Sequence, residues 1–218
     1  MEQLSEEWFA ARRGKVTASR VSDVVAKTKS GWGASRGNYR AQLVAERLTG
    51  QSAESFTNAA MQWGTETEPE ARAAYEFLRD AEVVEVGFVN HPKIGMSGAS
   101  PDGLVGNDGL VEIKCPNTAT HIDTLLTDTV PGKYMLQMQW QMACTNRQWC
   151  DFVSYDPRMP ERMRLFVHRV ERDEAELATL EREIEIFLRE VDETVNKLTD
   201  RFPDTSDAEQ AARYLRAG

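Results

Sequence analysis

The sequence predicts an α/β fold in which a mixed β-sheet is flanked by helices. Amphipathic helical patterns occupy both ends of the chain, and alternating apolar stretches with a tight-turn signal lie between them. The order helices, strands, helices, strands, helix is typical of helices layered on one sheet. With 218 residues, 41% of them apolar, the chain is long enough for a sizeable core, and we expect a single domain over residues 1–218.

The first 50 residues are expected to be mainly helical. The spacing of apolar residues predicts helices over about residues 5–13, 17–27 and 37–49. The second of these would begin at Thr17 or Ser19, because both residue types cap helix N-termini. Gly and Ser enrichment predicts a loop over residues 28–37, with Trp32 exposed.

The middle of the chain changes from helix to strand. A helix is predicted over about residues 65–80, and Pro69 requires it to start near Gly64, because only first-turn N–H groups lack an intrahelical partner. Alternating patterns predict strands over 82–90, 95–105 and 109–114. Asn107-Asp108-Gly109 is a tight-turn signal, so the last two strands should form a hairpin.

The remaining elements complete the layers. Helices are predicted over about 118–127 and 132–145, and strands over 150–155 and 163–169. Apolar residues then recur at helical spacing, at Leu177, Leu180, Ile184, Phe187, Val191, Val195 and Leu198. Such a stripe predicts a long helix that packs on the same domain, with a subunit contact as the alternative. A short extra helix is expected after Pro203.

Composition limits the class of protein. No apolar run approaches the roughly 20 residues that span a bilayer, and the N-terminus lacks a secretory signal, so we expect a soluble cytoplasmic protein without a membrane partner. The cysteines Cys115, Cys144 and Cys150 form no CxxC pair. They are interpreted as reduced thiols, which argues against a four-cysteine iron–sulfur cluster.

The net charge of −9 is an objection to a nucleic-acid partner, since affinity for DNA comes from Lys and Arg that neutralise phosphates. The charges are unevenly distributed, however. Residues 11–48 are basic, whereas acids concentrate in 64–85 and 171–194. Local charge decides where a polyanion binds, so the basic segment is a candidate DNA surface.

The candidate chemistry lies around Asp102, Glu112 and Lys114. Side chains two apart on a strand share a face about 7 Å apart, so Glu112 and Lys114 project together while Val111 and Ile113 point into the core. The hairpin would bring Asp102 to the same place. A solvent-facing pair of charges is the competing interpretation of a bare ExK tripeptide.

Two carboxylates beside one ammonium repel each other unless a cation offsets their charge. Mg²⁺ prefers oxygen ligands, with Mn²⁺ able to substitute, and Asp102, Glu112 and the Ile113 carbonyl would supply them. A bound metal would polarise a phosphate and lower the pKa of a water molecule. Lys114 would orient or deprotonate that water, or stabilise charge in the transition state. These groups suffice for phosphodiester hydrolysis.

Here the sequence resembles the phage lambda exonuclease family of the PD-(D/E)xK nuclease superfamily. The matching segments are Trp8-x3-Arg12-x-Gly14-x2-Thr17-Ala18-Ser19, Trp63-Gly64-x3-Glu68, Ser100-Pro101-Asp102-Gly103-Leu104, Glu112-x-Lys114-Cys115-Pro116, Tyr134-Met135-x-Gln137-x-Gln139 and Tyr155-Asp156-Pro157-Arg158-Met159. The resemblance implies a restriction-endonuclease-like core. It also implies a Mg²⁺-dependent 5′-to-3′ exonuclease that degrades one strand of linear duplex DNA to mononucleotides and leaves 3′ overhangs for recombination.

The resemblance further implies a homotrimer around DNA and a single-strand annealing protein as partner. It assigns Glu68 to the metal site and Gln137 to the reacting groups, with Tyr134 nearby. Helices within residues 1–50 would contribute to a DNA-end pocket, and residues 171–218 would pack on the core. For the substrate, the implied residues are Arg12, Ser19 and Ser100 at a terminal 5′ phosphate and Met61 as a wedge at the terminal base pair.

The sequence departs from the family at one position, and two alternative functions remain open. Where the family has an arginine that binds phosphate, this chain has Thr120 and His121, which leaves dependence on a 5′ phosphate open. A restriction-like endonuclease or another recombination nuclease of the same fold would share the site, and cleavage of closed circular DNA would distinguish it. A non-catalytic DNA-end-binding subunit would release no mononucleotides.

Overall fold

The computed structural model describes residues 2–29, 31–53 and 59–203. The helices are α1 (Glu6–Arg12), α2 (Val21–Val24), α3 (Ala34–Thr49), α4 (Ala59–Arg79), α5 (Thr118–Thr127), α6 (Gly132–Thr145) and α7 (Glu174–Arg201). The strands are β1 (Val16–Thr17), β2 (Lys27–Thr28), β3 (Gly31–Trp32), β4 (Val83–Val84), β5 (Val89–Asn90), β6 (Ser97–Ala99), β7 (Gly103–Val105), β8 (Gly109–Lys114), β9 (Trp149–Tyr155) and β10 (Leu165–Glu171).

The main sheet has the order β10-β9-β8-β7-β4 in the described part of the chain. It is mixed, as predicted, because β8 and β9 run parallel while the other neighbours are antiparallel. β7 and β8 form the predicted hairpin, with Gly103 opposite Val111 and Val105 opposite Gly109. Gly106 adopts a left-handed φ of 53° at the turn, a conformation that glycine reaches without strain.

Helices cover both faces of this sheet, which confirms the predicted fold class. On one face, Val111, Ile113 and Val153 pack against Ala71 and Tyr75 of α4. On the other face, strand side chains pack against α6, in a cluster of Leu110, Met138, Met142, Cys150, Phe152 and Val170. The apolar stripe of α7 packs against α3 and α6 of this chain.

A smaller sheet links the N-terminal segment to the strand before the predicted site. Its order is β1-β6-β5, and Val16 and Thr17 pair in parallel with Ser97 and Gly98. The helix predicted over residues 17–27 is therefore wrong at its start. Thr17 lies in a strand and makes no side-chain cap, a 3-10 turn follows over Ala18–Arg20, and only Val21–Val24 is α-helical.

Two predicted strands are each divided between the two sheets. The stretch 82–90 forms β4 in the main sheet and β5 in the smaller one, and the stretch 95–105 likewise forms β6 and β7. The second division falls at Ser100-Pro101-Asp102, where proline lacks the N–H that a sheet would use. Residues 100–102 therefore form a segment that crosses from the smaller sheet to the main sheet and lies beside both.

The starts of two helices also differ from the prediction. In the described residues α4 runs over Ala59–Arg79, so Pro69 lies inside the helix. Pro69 and Thr65 are both exposed, which leaves the unpaired carbonyl of Thr65 accessible to water. Residues 28–37 contain the β2–β3 hairpin and the start of α3 at Ala34, not only a loop. Trp32 is 45% exposed, as predicted. The extra helix after Pro203 lies outside the described residues.

In the part of the chain that the structure describes, none of the helices is both long and apolar enough to span a membrane.

Candidate active site

The β7–β8 register places the first two acids opposite each other. Because Gly103 pairs with Val111 in an antiparallel ladder, Asp102 stands across from Glu112. Asp102 Oδ2 accepts a 2.7 Å hydrogen bond from the backbone N–H of Ile113. The segment that crosses between the sheets is thereby attached to the strand that carries the ExK residues.

Glu112 lies on the sheet face covered by α6, and it is 0% exposed. Its Oε1 accepts a 2.6 Å hydrogen bond from Gln137 Nε2, and its Oε2 accepts one of 2.6 Å from Gln141 Nε2. Lys114 Nζ contacts the same Oε1 and lies 3.9 Å from Asp102 Oδ2. The competing interpretation of Glu112 as a solvent-facing residue is therefore wrong.

The electrostatics of the site are dominated by clustered charge in a poorly solvated place. Burial, reinforced by the charges of Glu112 and Glu68, raises the pKa of Asp102 to about 8. Burial alone would lower the pKa of Lys114, but the charges of Glu112 and Asp102 outweigh it and raise that pKa above its usual value. Ionised Asp102 is thus unfavourable beside Glu112 as long as Lys114 is the only cation between them.

This donor set fits a hard divalent cation. Asp102 and Glu112 present carboxylate oxygens, and their mutual repulsion would be relieved by a positive ion. Among the described residues no group of three His, Cys, Asp or Glu side chains is close enough to hold a metal. The carbonyl of Ile113 is available as a further oxygen donor, because a strand residue directs its C=O and N–H to the same edge, and the Ile113 N–H points at Asp102.

Glu68 and Tyr134 lie on opposite sides of this cluster. Glu68, on α4, accepts a 2.8 Å hydrogen bond from Arg72, and its charge reaches Asp102. Tyr134, on α6, has its ring centre 5.5 Å from Lys114 Nζ. Burial and the charge of Glu68 raise the pKa of Cys115 to about 12, so this neighbour of Lys114 stays a neutral thiol.

A second group of predicted residues meets at the other end of the crossing segment. Ser100 Oγ accepts hydrogen bonds from Trp8 Nε1 at 2.9 Å and from Arg12 Nη1 at 3.1 Å. The Arg12 guanidinium carbon lies 3.9 Å from the centre of the Trp8 ring. Burial lowers the pKa of Arg12 to about 10, which leaves it charged at neutral pH.

Trp8 and Arg12 line a cavity of about 550 Å³ formed mainly by the N-terminal 53 residues, and Ser100 is bonded to both of them. Arg12, Ser19 and Met61 all line it, and Met61 is 52% exposed. Arg13 and Lys15 also line it. The structure therefore gathers the residues predicted to bind a DNA end, apart from Tyr134, within and beside one cavity.

Ion pairs explain which basic residues remain available to a polyanion. Several cations of the basic segment pair with acids of α7, namely Arg36 and Arg40 with Glu190, Arg47 with Asp192 and Lys27 with Glu183. Within the described ranges, Arg12, Arg13 and Lys15 have no carboxylate at salt-bridge distance. Three cations beside the cavity are thus left without an acidic partner among the described residues, although Glu46 also lines it.

Gln141 was missed at the sequence level, although it lies four residues after Gln137 and so on the same helix face. The adjacent Gln139 points elsewhere and bonds to Glu171 and Asp173. At the position of the family arginine, the His121 ring nitrogens are paired with Ser154 Oγ and the Met163 carbonyl. His121 is fully buried and serves packing there.

Comparison with known proteins yields both a family and structural neighbours. A profile of the YqaJ-like viral recombinase domain matches residues 7–148. The structure is similar to the crystal structure of an alkaline exonuclease (LHK-Exo) from Laribacter hongkongensis, with a TM-score of 0.85 and 55% identity over 90% of this chain and 97% of that chain. LHK-Exo in complex with dAMP gives a TM-score of 0.86 at the same identity and coverage.

More distant matches show a shared fold and a longer relative. A phage-related exonuclease from Haemophilus somnus has a TM-score of 0.70 at 15% identity, covering 84% of this chain and 96% of that chain. The uncharacterized protein R354 of Acanthamoeba polyphaga mimivirus is 28% identical over 169 residues, which are 70% of this chain and 29% of the relative. The chain thus spans less than a third of that relative's length. The predicted restriction-endonuclease-like fold is confirmed by the structural matches.

Proposed function

The chain belongs to the family of YqaJ-like viral recombinase domains and is a nuclease, and from this premise we propose that it is a Mg²⁺-dependent exonuclease. It would degrade one strand of linear duplex DNA from the 5′ end, release mononucleotides and leave a 3′ overhang. Family membership, with 55% identity to an alkaline exonuclease, argues against the alternative of a non-catalytic end-binding subunit.

The observation that carries this proposal is the short distance between the cationic cavity and the carboxylate cluster. Ser100, bonded to Arg12, and Asp102, bonded to β8, are two residues apart. Their Cα atoms are therefore no more than about 7 Å apart. A terminal phosphate bound at the cavity would have the next phosphodiester beside the carboxylates, which is the arrangement that removal of one nucleotide at a time requires.

The residues around the cavity have chemistry suited to a DNA end. The Arg12 guanidinium can form paired hydrogen bonds to phosphate oxygens, and the hydroxyls of Ser19 and Ser100 can donate further ones. Met61 offers an apolar side chain that would separate the terminal base pair. Ser100 is already bonded to Arg12, so the Arg12 guanidinium and the Ser100 hydroxyl would contact one phosphate together.

At the carboxylate cluster, Asp102, Glu112 and the Ile113 carbonyl would hold Mg²⁺, with Mn²⁺ as a substitute, and Glu68 would add negative charge. When bound, the metal supplies Lewis acidity toward a phosphate oxygen and a water molecule of lowered pKa. Lys114 would orient or deprotonate the attacking water or stabilise negative charge on the phosphate. Gln137, bonded to Glu112 at the more open end of the site, and Tyr134 beside Lys114 would align these groups.

The test uses linear duplex DNA labelled at the 5′ or the 3′ end of one strand, incubated with the protein and Mg²⁺. Early release of the 5′ label as a mononucleotide, with late loss of the 3′ label, is expected. Early release of the 3′ label would overturn the polarity. Cleavage of closed circular duplex would instead support the endonuclease alternative, and an EDTA-treated sample should be inactive.

Family membership is also the basis for proposing a homotrimer around duplex DNA and a single-strand annealing protein as partner. Light scattering coupled to gel filtration tests the first, with a mass of about three times the 24.6 kDa chain expected. Recombination assays with and without an annealing protein test the second. A monomeric mass would overturn the ring.

A further inference from the structure

Two glutamines of α6 bind the two oxygens of one carboxylate, and they differ in exposure. Gln137 donates to Glu112 Oε1 and is partly exposed, whereas Gln141 donates to Oε2 at 2.6 Å and is fully buried. In this arrangement Gln141 can touch neither solvent nor DNA. Its effect on the reaction must therefore pass through Glu112.

We infer that Gln141 is a positioning residue that fixes the Glu112 carboxylate in the orientation that binds the divalent metal. This inference rests on the proposed function, which assigns Glu112 to the metal. The last torsion of a glutamate side chain is broad, so a carboxylate held at one oxygen can still rotate. Hydrogen bonds at both oxygens remove that freedom.

The choice of an amide as donor has an electrostatic consequence. A Lys or Arg at position 141 would neutralise the charge that attracts the cation, whereas the neutral amide of Gln141 orients Glu112 and leaves its charge in place. Lys114 already supplies one cation at Oε1. A neutral partner at Oε2 therefore keeps the site able to bind a second positive charge.

The amide oxygen of Gln141 indicates that this side chain does more than fill space in the core. Within the described part of the chain, Gln141 Oε1 is buried and has no hydrogen-bond partner. A buried unpaired acceptor is unfavourable, and an apolar side chain of the same size would avoid it. The opposite amide orientation would place Oε1 against the Glu112 carboxylate, so the N–H donation to Oε2 explains why a glutamine stands here.

Gln139 provides a matched control on the same helix. It is buried, and its amide donates to the Glu171 carbonyl at 2.8 Å and accepts from Asp173 N–H at 3.0 Å. These bonds join α6 to the start of α7. Loss of the Gln139 amide should therefore weaken the fold without reaching the carboxylate cluster.

The experiment compares Gln141→Met and Gln139→Met with the wild-type protein, since methionine has a similar length and adapts to buried space. The probe is Mn²⁺ alone, and its dissociation constant for the DNA-free protein is measured by electron paramagnetic resonance. Removal of an outer partner of a metal ligand weakens metal binding about 10- to 100-fold. We expect Gln141→Met to raise the dissociation constant for Mn²⁺ by about tenfold or more. We expect Gln139→Met to lower the Tm and to leave the Mn²⁺ affinity at the wild-type value.

A folded Gln141→Met protein that binds Mn²⁺ as tightly as wild type would overturn the inference. If this variant does not fold, Gln141→Asn keeps an amide one methylene too short to reach Glu112, and the same loss of affinity is expected. Wild-type affinity in Gln141→Asn would also overturn the inference. A wild-type protein that binds no Mn²⁺ would instead overturn the proposed metal dependence, so the two failures are distinguishable.

Discussion

The Asp102 carboxylate accepts a 2.7 Å hydrogen bond from the backbone N–H of Ile113. This bond attaches the segment between the two sheets to β8, and it does so at the residue between Glu112 and Lys114. The N–H orients one oxygen of Asp102 and partly stabilises its negative charge, but burial and the charge of Glu112 still raise the pKa of Asp102 to about 8. The backbone therefore holds the carboxyl in place while its ionised form remains unfavourable, which is an arrangement that favours a bound cation.

The first prediction concerns Asp102→Asn. The asparagine oxygen can still accept from Ile113 N–H, but the charge that would bind the metal is removed. We expect nuclease activity to fall at least about a hundredfold, since the metal contributes several kcal/mol to the transition state. The metal-free protein should melt at the wild-type temperature at pH 7 and at a higher temperature above about pH 8, because Asp102 ionises there beside Glu112 and asparagine does not.

Release of mononucleotides from linear duplex and thermal melting in EDTA measure these two effects. Asp108→Asn is the control, because Asp108 is an exposed acid in the turn of the same hairpin. Activity of Asp102→Asn near the wild-type level would contradict the assignment of Asp102 to the metal.

A second prediction concerns Met61, which lines the cationic cavity. If its side chain separates the terminal base pair, Met61→Ala should slow digestion of blunt duplex ends by about tenfold, since unstacking a base step costs a few kcal/mol. Ends with several unpaired bases should be digested at the wild-type rate. Initial rates on matched blunt and frayed substrates test this.

Phe77→Ala is the control for Met61→Ala. Phe77 is 92% exposed on the same helix and does not line the cavity. Both variants should keep wild-type stability because both side chains are largely exposed. Equal slowing on blunt and frayed ends would argue against a wedge at position 61.

A third prediction separates the terminal phosphate from the rest of the DNA. Arg12→Ala should reduce initiation on 5′-phosphorylated ends by about 10- to 100-fold, the loss of one or two hydrogen bonds to a charged group. Ends with a 5′ hydroxyl should be affected much less. Arg40→Ala, which removes an exposed arginine paired with Glu190, serves as control. The same fractional loss on both kinds of end would remove Arg12 from phosphate binding.

Sequence patterns predicted the elements that are specified locally. The bounds of α5, α6 and β8 agree with the predicted ranges. α5 begins after Asn117, whose side chain accepts from Thr120 N–H, and such a cap is visible in the sequence. The strands β1, β4 and β5 were missed or merged, because two-residue strands are defined by partners that are remote in the chain.

The candidate site divides in the same way. Asp102, Glu112 and Lys114 follow from the period of two along a strand and from a tight turn, so their proximity was predictable. Gln141 was not, because a glutamine on a helix is usually solvated and its carboxylate partner lies on β8. Nor could the sequence show that several arginines of the basic segment are paired with α7.

The last prediction concerns Asp156, which the matching segment Tyr155–Met159 contains and which no catalytic role explains. Burial raises the pKa of Asp156, but hydrogen bonds from Arg158 and Thr118 outweigh it and hold that pKa at about 2, below the ordinary value of 3.8. A carboxyl whose pKa is depressed by folding stabilises the folded state above its unfolded pKa, and this stabilisation is lost as pH falls through the folded value.

Asp156→Asn should therefore be less stable than wild type at pH 7. The pKa difference between the unfolded and folded states corresponds to about 2 kcal/mol of unfolding free energy. The difference should shrink between about pH 4 and pH 2, because the wild-type carboxyl takes up a proton there and loses its charge-assisted bonds. Urea unfolding of the metal-free proteins between pH 7 and pH 2.5 measures it. A stability difference that stayed constant over this range would show that Asp156 contributes through packing and not through its charge.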